Sequence, residues 1–157
     1  MGTALTVVLW IVGIIVALVV VVVLLVIVVP MFFRKPEKVA VSVESPGTCK
    51  LGDTFKIRVR VTDTSGQPRL LSSVDLTKDY LRGIVVESID PKPAESSSML
   101  GSNAYYVRSE VPPNGVREVV LSCKATQAGD YSGSLLVYVD KESGISINNV
   151  VRTVVMA

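Results

Sequence analysis

Thr54-Phe55-Lys56-Ile57-Arg58-Val59-Arg60-Val61-Thr62-Asp63 decides the fold class of this chain. Phe55, Ile57, Val59 and Val61 alternate with Lys56, Arg58, Arg60 and Thr62. Successive side chains of a strand point to opposite faces, so the stretch predicts one buried apolar face and one solvated, cationic face. The three outward basic residues are candidates to meet an acidic surface; a solvated strand face is the plainer reading and the one preferred.

Working outward, turn signals punctuate the rest. Ser45-Pro46-Gly47-Thr48, Thr64-Ser65-Gly66-Gln67-Pro68, Pro112-Pro113-Asn114-Gly115, Gln127-Ala128-Gly129-Asp130 and Ser143-Gly144 all carry turn residues. Between them the pattern predicts strands over Val39–Val43, Leu70–Leu76, Ile84–Ile89, Ala104–Val107, Val116–Cys123, Tyr131–Val139 and Ile145–Val155. A helical turn is expected within Asp75–Leu81. Asp90 to Gly101 is polar and rich in proline and serine, which predicts a long mobile loop. Val119, Leu121 and Cys123 share one phase, and Tyr131, Leu135, Val137 and Val139 another, so these are candidate core residues. The sum is an all-β, immunoglobulin-like β-sandwich of seven or eight strands over residues 39–157. No amphipathic helix of useful length appears there, which excludes βαβ folds.

The N-terminal end is of another kind. After the short tail of residues 1–3, Ala4–Phe33 contains no charge and is rich in valine. As a helix it would be ~45 Å long, beyond the ~30 Å that a hydrocarbon core requires. The reading is one N-terminal transmembrane helix that is not cleaved. Met1–Thr3 lacks the basic residues of a signal peptide, the apolar run is about twice too long, and no A-x-A site closes it. Trp10 near one end and Phe32 and Phe33 at the other mark the expected interfaces, and Pro30 ends or kinks the last turn. Gly13 and Ala17, four apart, allow close approach of a neighbouring helix. Residues 34–38 form a basic juxtamembrane linker. Arg34, Lys35 and Lys38 follow the helix and nothing basic precedes it, so the positive-inside rule places the β domain on the cytoplasmic face. The outward habit of sandwich domains argues the other way.

Leu51-Gly52-Asp53 leading into the alternating strand resembles the second strand of bacterial immunoglobulin-like sandwiches of the CARDB type, in which a Gly-Asp pair opens such a strand. Pro112-Pro113-Asn114-Gly115 and then Ala128-Gly129-Asp130-Tyr131-Ser132-Gly133 is similar to their proline-glycine turn, strand and glycine-x-tyrosine segment. The resemblance covers most of residues 39–157. It implies a spacer or protein-binding module and a non-enzymatic role. Asp63 stands where those domains usually have asparagine.

Chemistry is sparse. The chain has no histidine, which removes the commonest metal ligand and the commonest general base. No CxxC, G-x-S-x-G or P-loop is present, and no cofactor is expected. Ser122 and Lys124 are read as pointing to opposite faces of a strand. Asp75, Asp79, Glu87 and Asp90 match no calcium-loop spacing and read as surface. Tyr131 suggests the tyrosine corner of immunoglobulin-type domains. Cys49 and Cys123 are expected at the same end of neighbouring antiparallel strands, where a disulfide is geometrically feasible; the other reading is two free thiols. A net charge of +2 with scattered basic residues argues against nucleic acid, and no small-molecule substrate is evident.

The functional expectation is a structural accessory subunit of a larger membrane complex, such as a respiratory or photosynthetic assembly. Its partners would be membrane lipid and other transmembrane subunits. The alternative is a self-assembling pilin-like filament subunit, with an apolar helical core and a β head. The absent basic leader and the lack of an early glutamate in the helix count against that alternative.

Overall fold

The computed structural model describes residues 10, 13–24, 38–140 and 146–157. It divides into two compact units, Met1–Arg34 and Lys35–Ala157. In the first, residues 13–24 form a helix, α1. Ile14, Ile15, Val16, Leu18 and every residue from Val19 to Leu24 are exposed, so α1 is apolar around its whole circumference. At ~1.5 Å per residue these twelve described residues span ~18 Å, and no helix among the described residues is long and apolar enough to cross a membrane. Of the expected span over residues 4–33, residue 10 and residues 13–24 are described, and the remainder lies outside the described residues. Trp10 is helical and exposed, and a side chain at Gly13 would meet nothing within 4 Å. Pro30, Phe32, Phe33, Arg34 and Lys35 lie outside the described residues.

The second unit is mostly β. Its strands are β1 (Val39–Glu44), β2 (Thr48–Lys50), β3 (Thr54–Asp63), β4 (Arg69–Thr77), β5 (Ile84–Asp90), β6 (Glu95–Ser98), β7 (Ser102–Tyr106), β8 (Ser109–Val111), β9 (Val116–Ala125), β10 (Gly129–Val139) and β11 (Ile147–Met156), with a one-turn helix α2 (Lys78–Leu81) after β4. One sheet has the order β1-β3-β9-β5 and the other β2-β11-β10-β4-β7-β6, with β8 also on β4. This is the immunoglobulin arrangement of an A-B-E-D sheet against a sheet containing C, F and G. The strand after β4 joins the first sheet, and the β6–β7 hairpin then returns to the second.

Alternation did its work on the long strands. Ile57, Val59 and Val61 are fully buried and Phe55 nearly so; Val119, Leu121 and Cys123, and Leu135 and Val137, meet them in one core. The expected seven or eight strands become eleven because three short ones, β2, β6 and β8, have compositions (Thr-Cys-Lys, Glu-Ser-Ser-Ser, Ser-Glu-Val) that show no apolar alternation. The polar stretch after Asp90, read as loop, therefore contains a strand.

Tyr131 forms the expected corner. Its hydroxyl donates to the Ala128 carbonyl at 3.2 Å, at the turn into β10. The ring lies on Gly83, where an added Cβ would overlap the ring carbon bearing the hydroxyl. Gly83→Ala must displace that ring, and overpacking of this kind costs about 1–3 kcal/mol. A urea denaturation curve should show a lower midpoint; an unchanged midpoint would mean that the corner yields without cost.

Buried polar links fasten the sandwich ends. Tyr80 of α2 is fully buried, and its hydroxyl hydrogen-bonds Thr153 at 2.9 Å; Thr153 in turn donates to the Pro46 carbonyl at 2.9 Å. Val154 N–H reaches the Gly47 carbonyl at 2.9 Å. The crossover from β1 to β2 is therefore bonded to β11, closing one side of the sandwich.

Candidate functional site

The opposite side is open. Sheet order places β5 at the free edge of one sheet and β6 at the free edge of the other. Between them lies a cleft of about 620 Å³, within the ~300–1,000 Å³ typical of ligand pockets. A hollow at the closed side, beside Pro46 and Phe55, measures about 260 Å³.

Register fixes what lines the cleft. Tyr105 pairs with Val74 and Asn103 with Leu76, so Tyr105 and Asn103 share the inward face of those core residues. Ser96 opposite Tyr105 and Ser98 opposite Asn103 continue that face. From the other sheet come Val86 and Ile89, both packed against the core. A bulge between Val86 and Ser88 sets Glu87 out of the ladder, and Glu87, Lys92 and Glu95 line the cleft with charge. Glu95 also lies 3.7 Å from Arg108, whose guanidinium stands 5.6 Å from the centre of the Tyr106 ring. Burial pushes the Tyr105 phenol up, partly offset by a hydrogen bond from Asn103. The Asn103 Oδ1 and Ser97 Oγ atoms are shielded from solvent and have no hydrogen-bond partner.

The residues singled out from the sequence are not gathered here. The cationic stripe is compensated by its neighbours: Glu118 lies 3.3 Å from Arg58 and 2.8 Å from Arg60, and Glu44 lies 3.3 Å from Arg60. The register puts Ser122 opposite Lys56 and Lys124 opposite Thr54, so Ser122 and Lys124 share the outer face, contrary to expectation, because a two-residue step returns to the same side. Asp79 pairs with Arg82 at 3.4 Å. Among the described residues no three acidic or cysteine side chains group as a metal site. Lys38 caps the first strand, its carbonyl accepting from Thr64 at 2.9 Å.

Cys49 and Cys123 are both free thiols. They do not lie on neighbouring antiparallel strands. Cys49 stands on β2, which runs parallel to β11 in the larger sheet, whereas Cys123 pairs with Phe55 in the smaller one. The reason is that residues 48–50 add to β11 rather than leading directly into β3. Burial pushes the Cys123 thiol up to about 12, with Glu87 adding to it, and burial then Asp53 push Cys49 up. Both thiols stay protonated at neutral pH and are poor nucleophiles.

Two carboxyls respond to pH in opposite senses. Asp63, whose side chain is fully shielded, accepts from the Ser65 hydroxyl at 2.6 Å, the Ser65 N–H at 3.1 Å and the Asn114 N–H at 3.2 Å, with Arg69 at 3.6 Å. These bonds, that from the Ser65 hydroxyl first, hold it below the usual carboxylate range. Asp75 points away from the core, is 7% exposed and, among the described residues, accepts from Ser73 at 2.9 Å; burial pushes it up. A depressed group stabilises above its unfolded pKa and loses that contribution as pH falls through its folded pKa. A raised group does the reverse: its ionised form weakens the fold above the folded pKa, and the penalty vanishes below the unfolded pKa. Thermal melts from pH 7 to about pH 3, spanning the ordinary aspartate pKa of ~3.9, should therefore separate two variants. Asp63→Asn is expected to be less stable than the parent at pH 7 and to converge with it in acid. Asp75→Asn, which keeps the acceptor for Ser73, is expected to be more stable at pH 7, with the gain fading in acid. Shifts of the same sign in both would refute the assignment.

Several solved structures share this architecture. A cohesin module from a Clostridium perfringens family 33 glycoside hydrolase superposes with a TM-score of 0.50 over 75% of this chain and 96% of the module, at 10% identity. A CARDB domain from Pyrococcus furiosus gives 0.46 over 76% of this chain and 94% of that domain, at 14% identity. Escherichia coli alpha-2-macroglobulin gives 0.47 over 76% of this chain but 7% of its own length, at 13% identity. No protein-family profile matches the chain, and no curated protein matches it. At these identities the likeness concerns the fold alone: an immunoglobulin-like β-sandwich.

Proposed function

We propose that this protein is a non-enzymatic accessory subunit of a larger membrane complex, held at the bilayer by residues 4–33 and engaging partners through its sandwich. The observation that carries the reading is the uncharged N-terminal run, whose described part, α1, is apolar on every side. A helix with no polar face matches lipid or the apolar surface of other helices better than water. Gly13 and Ala17 lie on α1 and offer a close-packing position for another transmembrane subunit. The sandwich adds an open cleft but, among its described cysteines, no activated nucleophile. Arg34, Lys35 and Lys38 favour the cytoplasmic side.

The test is fractionation followed by purification in mild detergent. The chain should stay in the membrane pellet through an alkaline carbonate wash and co-purify with different polypeptides. Release by the wash would sink the membrane assignment, and a homopolymer would favour the filament alternative.

A further inference from the structure

We propose that an extended segment of a partner polypeptide docks in the cleft between β5 and the β6–β7 hairpin, adding a fifth strand to the four-stranded sheet. This names the surface through which the accessory-subunit reading above would operate.

The two sheets differ in width. Four strands form one layer, and a six-strand path, with β8 beside it, forms the other. On the inward face of the larger sheet Val74, Leu76 and Val137 are fully buried, yet Ser96 and Ser98, in register on the same face, are exposed. The smaller sheet ends at β5, with nothing among the described residues beyond it to cover β6. A strand laid along β5 would occupy that place. Its inward side chains would stand over Ser96, Ser98 and Tyr105.

The edge of β5 supplies the backbone half of recognition. Among the described residues β5 pairs with β9 on one side only, so its other side presents unpaired N–H and C=O groups. Its seven residues suit a segment of ordinary strand length, about five to six residues.

The cleft supplies the side-chain half. Val86, Ile89 and the Tyr105 ring form an apolar floor. A hollow lined by Ser96, Ser98, Asn103 and Tyr105 adjoins the cleft and offers hydroxyl and amide groups to a guest. Glu87 is balanced by Lys92, and Glu95 lies 3.7 Å from Arg108, so the cleft is charge-balanced and suits an uncharged guest. The matching guest alternates a β-branched apolar residue with a hydroxyl or amide residue and carries no net charge. A small apolar molecule could fill the floor but would leave the edge of β5 unpaired.

The experiment pans a random heptapeptide phage library against the full-length protein in mild detergent. Parent, Ser96→Arg and Gln127→Arg are compared. Ser96 is exposed at the cleft, so arginine there obstructs it without entering the core; Gln127 is exposed in the β9–β10 turn. Enrichment of alternating, uncharged peptides on the parent is expected. The best synthetic peptide should bind Ser96→Arg at least about tenfold more weakly, a difference of ~1.4 kcal/mol, and Gln127→Arg equally well. It should also slow amide hydrogen exchange across residues 84–90. No enriched family, equal binding to Ser96→Arg, or no protection in β5 would overturn the proposal. So would concentration-dependent self-association of the parent that Ser96→Arg abolishes, without peptide enrichment, since the occupant would then be a second copy. Carbonate fractionation of the same variants keeps the outcomes apart: Ser96→Arg should remain membrane-bound, so loss of peptide binding and loss of membrane attachment are separate failures.

Discussion

Tyr80→Ala is expected to destabilise the sandwich by about 3–5 kcal/mol, the cost of deleting a fully buried aromatic side chain. Two terms add. The ring fills space between the sheets that its neighbours cannot collapse into, because Gly133 already lies so close that a Cβ there would come within 2.8 Å of the Tyr80 Cβ. The hydroxyl is the first member of the link through Thr153 to Pro46. Its phenol is pushed up to about 12, chiefly by burial, so it stays neutral at any working pH. Tyr80→Phe separates the terms: it keeps the ring and should lose only the ~0.5–1.5 kcal/mol of one hydrogen bond. Urea unfolding of the three proteins provides the comparison. A loss below ~1 kcal/mol for the alanine variant would show that α2 is not part of the cooperative core.

Val20→Lys tests the other unit. A lysine at the centre of a spanning helix costs ~2.5–3.5 kcal/mol on insertion scales. Val20 lies near the middle of the uncharged run and is exposed on α1. On the membrane reading the variant should show reduced membrane yield and weaker recovery of its companions, while the sandwich unfolds at the parent midpoint. The expected companion, Val20→Leu, should behave as the parent. Normal membrane yield of Val20→Lys would count against a span through this residue.

How much could be read from the sequence depended on whether a strand had to bury one face. Phe55 to Val61 announced themselves because a two-layer fold requires an apolar residue at every second position there. β10 was legible for the same reason through Leu135, Val137 and Val139. β6 was not: Ser96 and Ser98 face inward but lie uncovered, so nothing demanded an apolar residue, and a serine run looks like loop. That same lack of cover is what makes the cleft. Cys49 was misplaced because β2 takes its sheet from a partner near the other end of the chain, a pairing that no local pattern encodes. The cleft itself was invisible, since Val86, Ile89, Ser96 and Tyr105 come together only through the order of strands.

The pairing of β2 with β11 also governs the timetable of synthesis. Thr48 lies beside Val154 and Cys49 beside Val155, so the seam that closes one edge of the sandwich joins residues roughly a hundred positions apart, and such long-range closure slows folding. At translation rates of ~5–20 residues per second, β2 waits on the order of 5–20 s after its own synthesis for its partner. During that interval the uncharged run has already been made, while β10 has no β11 against which to pair. The nascent chain thus presents an apolar leading segment and an incomplete sheet together. Exposure of unpaired strand edges during that interval favours aggregation, which prompt closure of the seam limits.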